Sequence, residues 1–342
     1  MSTGYVYDPI FLKHDLRGHP ENAQRLARIT ALLEESGTLA QLTEVQAREI
    51  SADELAWNHT PDYVAQVRRV AEGGGGHLDL DTYVRADSYA AALKAAGGLI
   101  DLAAGVLEGR LDNGFGLVRP PGHHALRGRG MGFCLFNNVA LAAYAALETH
   151  GLERILIVDF DVHHGNGTQD SFDEDPRVLY FSTHQYPHYP GTGHWQEIGR
   201  GKGHGTTANV PLSPGVGDAG FSLIFEEFLW PLAERYRPQL LLVSAGYDAH
   251  WSDPLAGMLL SIMGYAHLAR SLKSLAESLC GGKIVFTLEG GYNLDVLSYA
   301  VLNTFKVLLG DDEIVDPLGP APRGERPVDD LVEQLKGLHR LV

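Results

Sequence analysis

Four short apolar runs each lead into residues that can do chemistry. Phe115–Val118 runs through Arg119-Pro120-Pro121-Gly122 into His123-His124, and Ile155–Val158 runs into Asp159-Phe160-Asp161-Val162-His163-His164-Gly165-Asn166. Leu240–Val243 ends in Ser244-Ala245-Gly246-Tyr247-Asp248, and Ile284–Phe286 is followed by Glu289-Gly290-Gly291-Tyr292. Ten of the sixteen histidines fall between His123 and His250, so imidazole is concentrated in the same stretch. Side chains alternate along an extended segment, which turns Asp159, Asp161 and His163 to one side. Two close carboxylates repel, and one must take a proton unless a divalent cation joins them. With Asp248 and the histidine pair nearby, the pattern reads as a metal site rather than as capping aspartates beside satisfied core histidines. Oxygen and nitrogen donors without cysteine fit a catalytic Zn2+, and they also accept Fe2+ or Co2+. Such an ion acidifies water and polarises a carbonyl, the two requirements of amide hydrolysis. Tandem imidazoles suit proton transfer near neutral pH. Tyr292, in a Gly-Gly turn, is placed to donate a hydrogen bond to a developing oxyanion.

These residues need a frame that gathers distant segments. Apolar runs bounded by turn residues, with a fifth at Val178–Phe181, suit strands of a parallel sheet covered on both faces. Helix-period segments lie between them: Leu26, Ile29 and Leu33; Val139 to Leu147; Leu223 to Leu232; Tyr265 to Leu279. The alternation predicts an α/β fold, a single domain with a mostly parallel, doubly wound sheet and helices on both faces, and ligands beyond the carboxyl ends of its strands. Residues 1–310 are read as the catalytic domain. Residues 311–342 are read as a tail whose stripe Val328, Leu331, Val332, Leu335, Leu338 and Val342 packs on the domain or on a partner subunit in a homo-oligomer. Gly73–Gly76 reads as a surface turn because no Gly-Lys-Ser/Thr ending follows, and Gly199–Gly205 reads as loop. With 27 Lys+Arg against 43 Asp+Glu, the net charge of −16 argues against nucleic acid as a partner. No continuous apolar run approaches the ~18 residues of a membrane helix. Two cysteines rule out a disulfide framework, and the start of the chain has no signal-peptide pattern, so a cytoplasmic location is expected.

Together the motifs Arg119-Pro-Pro-Gly-His-His-Ala125, Asp159-Phe-Asp-Val-His-His-Gly-Asn-Gly-Thr-Gln169, Ser244-Ala-Gly-Tyr-Asp-Ala249 and Glu289-Gly-Gly-Tyr292 resemble the histone deacetylase superfamily of the arginase/deacetylase fold. The likeness is to class II and bacterial histone-deacetylase-like amidohydrolases, and it spans about Gly4 to Leu309. It implies that Asp161, His163 and Asp248 bind the zinc, while Asp159 pairs with His123 and Asn166 with His124. It further implies His124 as general base, His123 as electrostatic partner and acid, and Tyr292 as the transition-state tyrosine. Gly132, Phe133 and Tyr189 would line the substrate channel, and Arg25 would contact the Gly290-Gly291 turn. Structural K+ is implied at Asp159, Asp161, His163 and Ser182, and again at Phe172, Asp175 and Val178.

The chain also departs from relatives. Asn166 stands where class I enzymes have aspartate, which leaves His124 without a charged orienter. Leu255 occupies the mouth position where polyamine-preferring relatives carry glutamate, and the Gly73–Asp81 loop lacks a narrowing insertion. The preferred substrate is therefore acyl-lysine in a protein or peptide. A small acylated amine such as an acetylpolyamine is the alternative, and a non-catalytic acyl-lysine binder is a third.

Overall fold

The computed structural model describes residues 2–341. Eight parallel strands form the main sheet: β1 (Thr3–Val6), β2 (Thr43–Val45), β5 (Asn113–Gly116), β6 (Ile155–Asp159), β7 (Val178–Gln185), β8 (Thr207–Leu212), β9 (Leu240–Ala245) and β10 (Ile284–Leu288). Their order across the sheet is β2-β1-β5-β10-β9-β6-β7-β8. Strands β5, β6, β7, β9 and β10 are buried along their whole length, as the apolar runs that open β6, β7, β9 and β10 require. Helices Ser88–Leu107 and Asn138–Glu148 pack together on one face; Ala23–Glu35, Ile262–Cys280 and Leu294–Leu309 cover the other. A small antiparallel hairpin, β3 (Gly75–His77) with β4 (Tyr83–Arg85), stands apart from the sheet. It corrects the expectation of a plain surface turn at Gly73–Gly76.

The register carries the strand ends to one edge. Asp159 at the end of β6 is paired with Ser182 of β7 and Ser244 of β9, and Ala245 is paired with Leu288 of β10. The ladder continues past the strands: Phe160 N donates to Ser244 O at 3.2 Å, Glu289 N to Ala245 O at 2.9 Å and Tyr247 N to Gly290 O at 3.1 Å. Neighbouring parallel strands are about 4.8 Å apart. The segments after β6, β9 and β10 therefore leave the sheet side by side.

Several local expectations differ from the structure. The strand expected at Phe115–Val118 lies two residues earlier, because Leu117 and Val118 already belong to the loop that carries the histidine pair. The helix expected over Leu223–Leu232 is three pieces, Asp218–Ile224, a π-helical turn Phe225–Leu229 and Trp230–Tyr236, with Pro231 near the last break. Helix Ser88–Leu107 is long and apolar enough on average to cross a membrane, although no unbroken apolar run marks it. It is instead a core helix, with Ala95, Ala96, Leu99 and Leu102 buried and its face set against β1, β5 and β10. In the tail, helix Asp329–Leu338 buries Val332 and Leu335 against Asp218–Ile224 and the π-helical turn, and Val342 of the expected stripe lies outside the described residues. The Gly199–Gly205 loop contains one short 3-10 turn at Gly201–Gly203.

Candidate metal centre and catalytic pocket

Because β6 ends at Asp159, strict alternation stops there. Asp159 turns toward the histidine pair, while Asp161 and His163 face Asp248 from the next strand. Each of these three offers a donor atom within 4.8 Å of the other two, and all three residues are buried. His163 Nδ1 lies 3.1 Å from Asp161 Oδ1 and 3.2 Å from Asp248 Oδ2. The remaining carboxylate atoms are already engaged: Asp161 Oδ2 accepts from Gly290 N at 2.8 Å, and Asp248 Oδ1 from Val162 N at 2.9 Å. Asp248 Oδ2 has no hydrogen-bond partner although it is buried. An orphaned carboxylate oxygen in such a place is costly, and a cation satisfies it. The backbone is shaped around the pair of carboxylates. A Cβ on Gly290 would stand 2.2 Å from Asp248 Oδ2 and 2.6 Å from Asp161 Oδ2, and one on Gly246 would stand 2.0 Å from Asp161 Oδ2. Burial opposes charge on His163, but the hydrogen bond to Asp161 and the close negative charges of Asp161 and Asp248 outweigh it and push its pKa up to about 10. Two carboxylates thus hold a proton on that ring where a divalent ion would serve the same charge balance. The donor set fits the ion that the motifs imply.

His123 and His124 lie above this cluster with ring centroids 4.0 Å apart. His123 Nδ1 is 3.1 Å from Asp159 Oδ2, and His124 Nδ1 is 2.8 Å from Asn166 Oδ1. The two partners differ in charge, and the rings respond in opposite directions. Burial disfavours a charged His123, yet the charges of Asp159 and Asp161 raise its pKa to about 10. Burial, followed by the charges of His123 and His163, holds His124 well below its ordinary value. Glu289 supports the pair from below: its Oε2 accepts Gly122 N at 2.7 Å and His123 N at 3.2 Å, and its Oε1 accepts Ser244 Oγ at 3.0 Å. Sequence reasoning placed Glu289 at a strand end but gave it no task. A second convergence, His123, Cys134 and Glu289, is already satisfied internally. The Cys134 thiol donates to Gly132 O at 3.3 Å, and burial keeps it protonated.

A cavity of about 240 Å3 opens above these groups. Gly132, Phe133, Tyr189, Leu255 and Tyr292 line it, together with both tandem histidines and His163. Phe133 adopts φ 69°, a left-handed conformation that costs a non-glycine residue ~1–2 kcal/mol, and Phe133 N is held by Thr82 Oγ1 at 3.1 Å. Tyr292 precedes Asn293, whose side chain caps helix Leu294–Leu309, so the helix start fixes the Tyr292 backbone. Burial and the charge of Asp248 keep the Tyr292 phenol protonated, hence a donor. Beneath it, Arg25 donates from Nε to Gly291 O at 2.7 Å and from Nη2 to Glu289 O at 2.6 Å, and its guanidinium carbon is 5.1 Å from the Tyr292 ring centroid. Glu21 binds Arg25 at 3.1 Å and also holds buried Arg119. Asp81 and His188 also line the cavity, and neither was singled out from sequence. They belong to irregular segments, where no periodicity marks a residue as inward-facing. A larger open groove of about 680 Å3, lined by Asp170, Asp173, Asp175, Arg177 and Arg200, contains none of these groups. Of the residues implied for K+, Asp175 gives its carboxylate to Arg177 at 2.7 Å, and Ser182 Oγ lies 2.9 Å from His184 Nδ1.

Comparisons with known proteins give the family and the fold. The family model for the histone deacetylase domain matches residues 19–308. Histone deacetylase 14, chloroplastic, of Arabidopsis thaliana is 41% identical, with 96% of this chain and 83% of that protein covered. A probable deacetylase of Archaeoglobus fulgidus is 40% identical, with 91% and 88% covered. Polyamine deacetylase HDAC10 of Homo sapiens is 41% identical over 91% of this chain but only 48% of its own length. The crystal structure of the HDA15 HD domain superposes with a TM-score of 0.90 at 38% identity, covering 99% of this chain and 94% of that one. The chain belongs to the histone deacetylase family and is a hydrolase of amide bonds.

Proposed function

We propose that the protein is a zinc-dependent deacylase of Nε-acyl-lysine in proteins or peptides. The observation that carries this reading is the buried convergence of Asp161, His163 and Asp248, with Asp248 Oδ2 lacking a hydrogen bond, beneath a paired-histidine roof. A divalent ion bound by those three residues would supply Lewis acidity toward the amide carbonyl and toward water. The protein's own groups do the rest. His124, held neutral, accepts the proton of the attacking water. His123, held cationic by Asp159, stabilises negative charge and delivers a proton to the leaving amine. Tyr292 donates its hydroxyl to the oxygen that gains charge, on a backbone fixed by Arg25 and the Asn293 cap. Phe133, Tyr189 and Leu255 offer an apolar sleeve for a lysine stem, each buried methylene contributing about 0.8 kcal/mol. Structural K+ near Ser182 and near Phe172, Asp175 and Val178 belongs to the same proposal, on the strength of the motif resemblance.

A second reading, hydrolysis of a small acylated amine, has one observation in its favour. The Asp81 carboxylate lines the cavity and could meet a second ammonium group. Leu255 opposes it by leaving that wall of the mouth uncharged. Metal-reconstituted enzyme assayed on acetyl-lysine peptides, longer-acylated peptides and acetylspermidine separates the two. Higher kcat/KM on the peptides supports the first reading, and turnover confined to acetylspermidine overturns it.

A further inference from the structure

One imidazole in the cavity wall has no task in the chemistry above. His188 lies between β7 and β8, next to Tyr189, and it makes two contacts that reach different parts of the site. Its ring stacks on that of His163, with centroids 5.1 Å apart and planes 21° from parallel. Its Nε2 is 3.0 Å from Leu255 O. A carbonyl only accepts, so Nε2 carries the proton and donates it. Leu255 is held at its other polar group as well. Its N–H donates to Asp253 Oδ1 at 3.0 Å, and Asp253 Oδ2 accepts the N–H groups of Tyr292 at 2.8 Å and Asn293 at 3.2 Å. The backbone of Leu255 is therefore clamped between His188 on one side and the turn that carries Tyr292 on the other.

We propose that His188 is a positioning residue with two separable tasks: its ring face holds His163 in the orientation that presents Nδ1 to the metal, and its Nε2–H holds Leu255 and so sets how the mouth of the cavity discriminates between a peptide-borne lysine stem and a free acylated amine. The idea rests on the reading of Asp161, His163 and Asp248 as the metal site. It goes beyond that reading by assigning selectivity at the mouth to a residue that directs a wall from outside the reacting atoms.

Two variants of the full-length, zinc-loaded chain divide the tasks. H188F keeps a flat ring over His163 and loses the donor, whereas H188Q keeps an amide donor of similar reach and loses the ring. The first readout is the ratio of kcat/KM on an acetyl-lysine peptide and acetylspermidine; the second, independent of turnover, is the rate at which zinc passes to a chelator. For H188F the substrate ratio should shift by about threefold or more while zinc release stays within about twofold of wild type. For H188Q zinc release should quicken by about fivefold or more with the substrate ratio within about twofold. Each variant decides its own half, so a folding failure in one leaves the other decisive. Wild-type values for a variant in the quantity assigned to it, or both quantities moving together in both variants, would overturn the proposal. A wild-type chain that retains no stoichiometric zinc would instead remove the underlying metal reading, and it would show before any variant is compared.

Discussion

At the scale of single residues, the site works by giving like groups unlike surroundings. His123 faces the carboxylate of Asp159 and is held cationic; His124 faces the amide of Asn166 and is held neutral. In the proposed reaction Tyr292 is the donor that acts only when charge develops. Replacing it with Phe should lower kcat by about 10²–10³ while leaving zinc content and melting temperature unchanged, as steady-state kinetics beside metal analysis will show. Leu255→Glu should raise the preference for acetylspermidine over an acetyl-lysine peptide by about tenfold, because a carboxylate there would pair with a second ammonium; an unchanged ratio would remove Leu255 from the specificity wall. The convergence of Asp161, His163 and Asp248 was legible in the sequence, because they are polar groups at the ends of runs that have to be covered. Asp81, His188 and the supporting role of Glu289 were not. Their positions come from loop paths and hydrogen bonds between distant segments, which leave no trace in spacing.

At the scale of elements, turns rather than strands aim the functional groups. Gly290 follows β10 where Asp161 and Asp248 leave no room for a Cβ. Gly290→Ala should displace one carboxylate by the better part of an ångström and weaken zinc binding by about 10²-fold or more, measured by competition with a chelating dye. The histidine-bearing loop after β5 is stapled by His59, whose Nδ1 donates to Leu126 O at 3.1 Å and whose Nε2 accepts Asn137 N at 2.9 Å. Burial lowers its pKa to about 4. Between pH 6.5 and 4 the unfolded chain binds a proton there that the folded chain does not, so this contribution is present above pH 6.5 and is lost as pH falls toward 4. The loss amounts to about 3 kcal/mol from this one group. Denaturation midpoints for His59→Gln should therefore depend on pH less steeply than wild type over that range, by about one proton. An identical slope would mean that the staple carries no such strain.

At the scale of the whole molecule, the parallel sheet brings to one edge residues as far apart as His123 and Tyr292. Strands β6, β7, β9 and β10 were readable because both their faces are buried and each opens on an unbroken apolar run, whereas β5, with Asn113, Gly114 and Gly116, was placed two residues late. Strands β1, β2 and β8 were not. Thr3–Val6 and Thr43–Val45 are short and mixed in polarity, and β8 carries Asn209, whose amide reaches Gln169 and Glu197 across the fold. Helix Ser88–Leu107 escaped periodicity analysis because it is apolar nearly all round. The tail is tied to the body by Glu325, which accepts the N–H groups of Gly217, Ala219 and Gly220 at 2.9, 3.1 and 3.0 Å. Glu325→Ala should cost about 1 kcal/mol, visible as a small drop in melting temperature with kcat unchanged.

The central claim is that Asp161, His163 and Asp248 together hold one divalent ion. Anomalous scattering from crystals of the zinc-reconstituted protein tests it directly. A single strong peak within bonding distance of Asp161 Oδ1, His163 Nδ1 and Asp248 Oδ2 is the expected result, and its loss in Asp248→Asn should accompany the loss of hydrolysis. No peak among these atoms, or full turnover by a protein whose ion sits elsewhere, would contradict it.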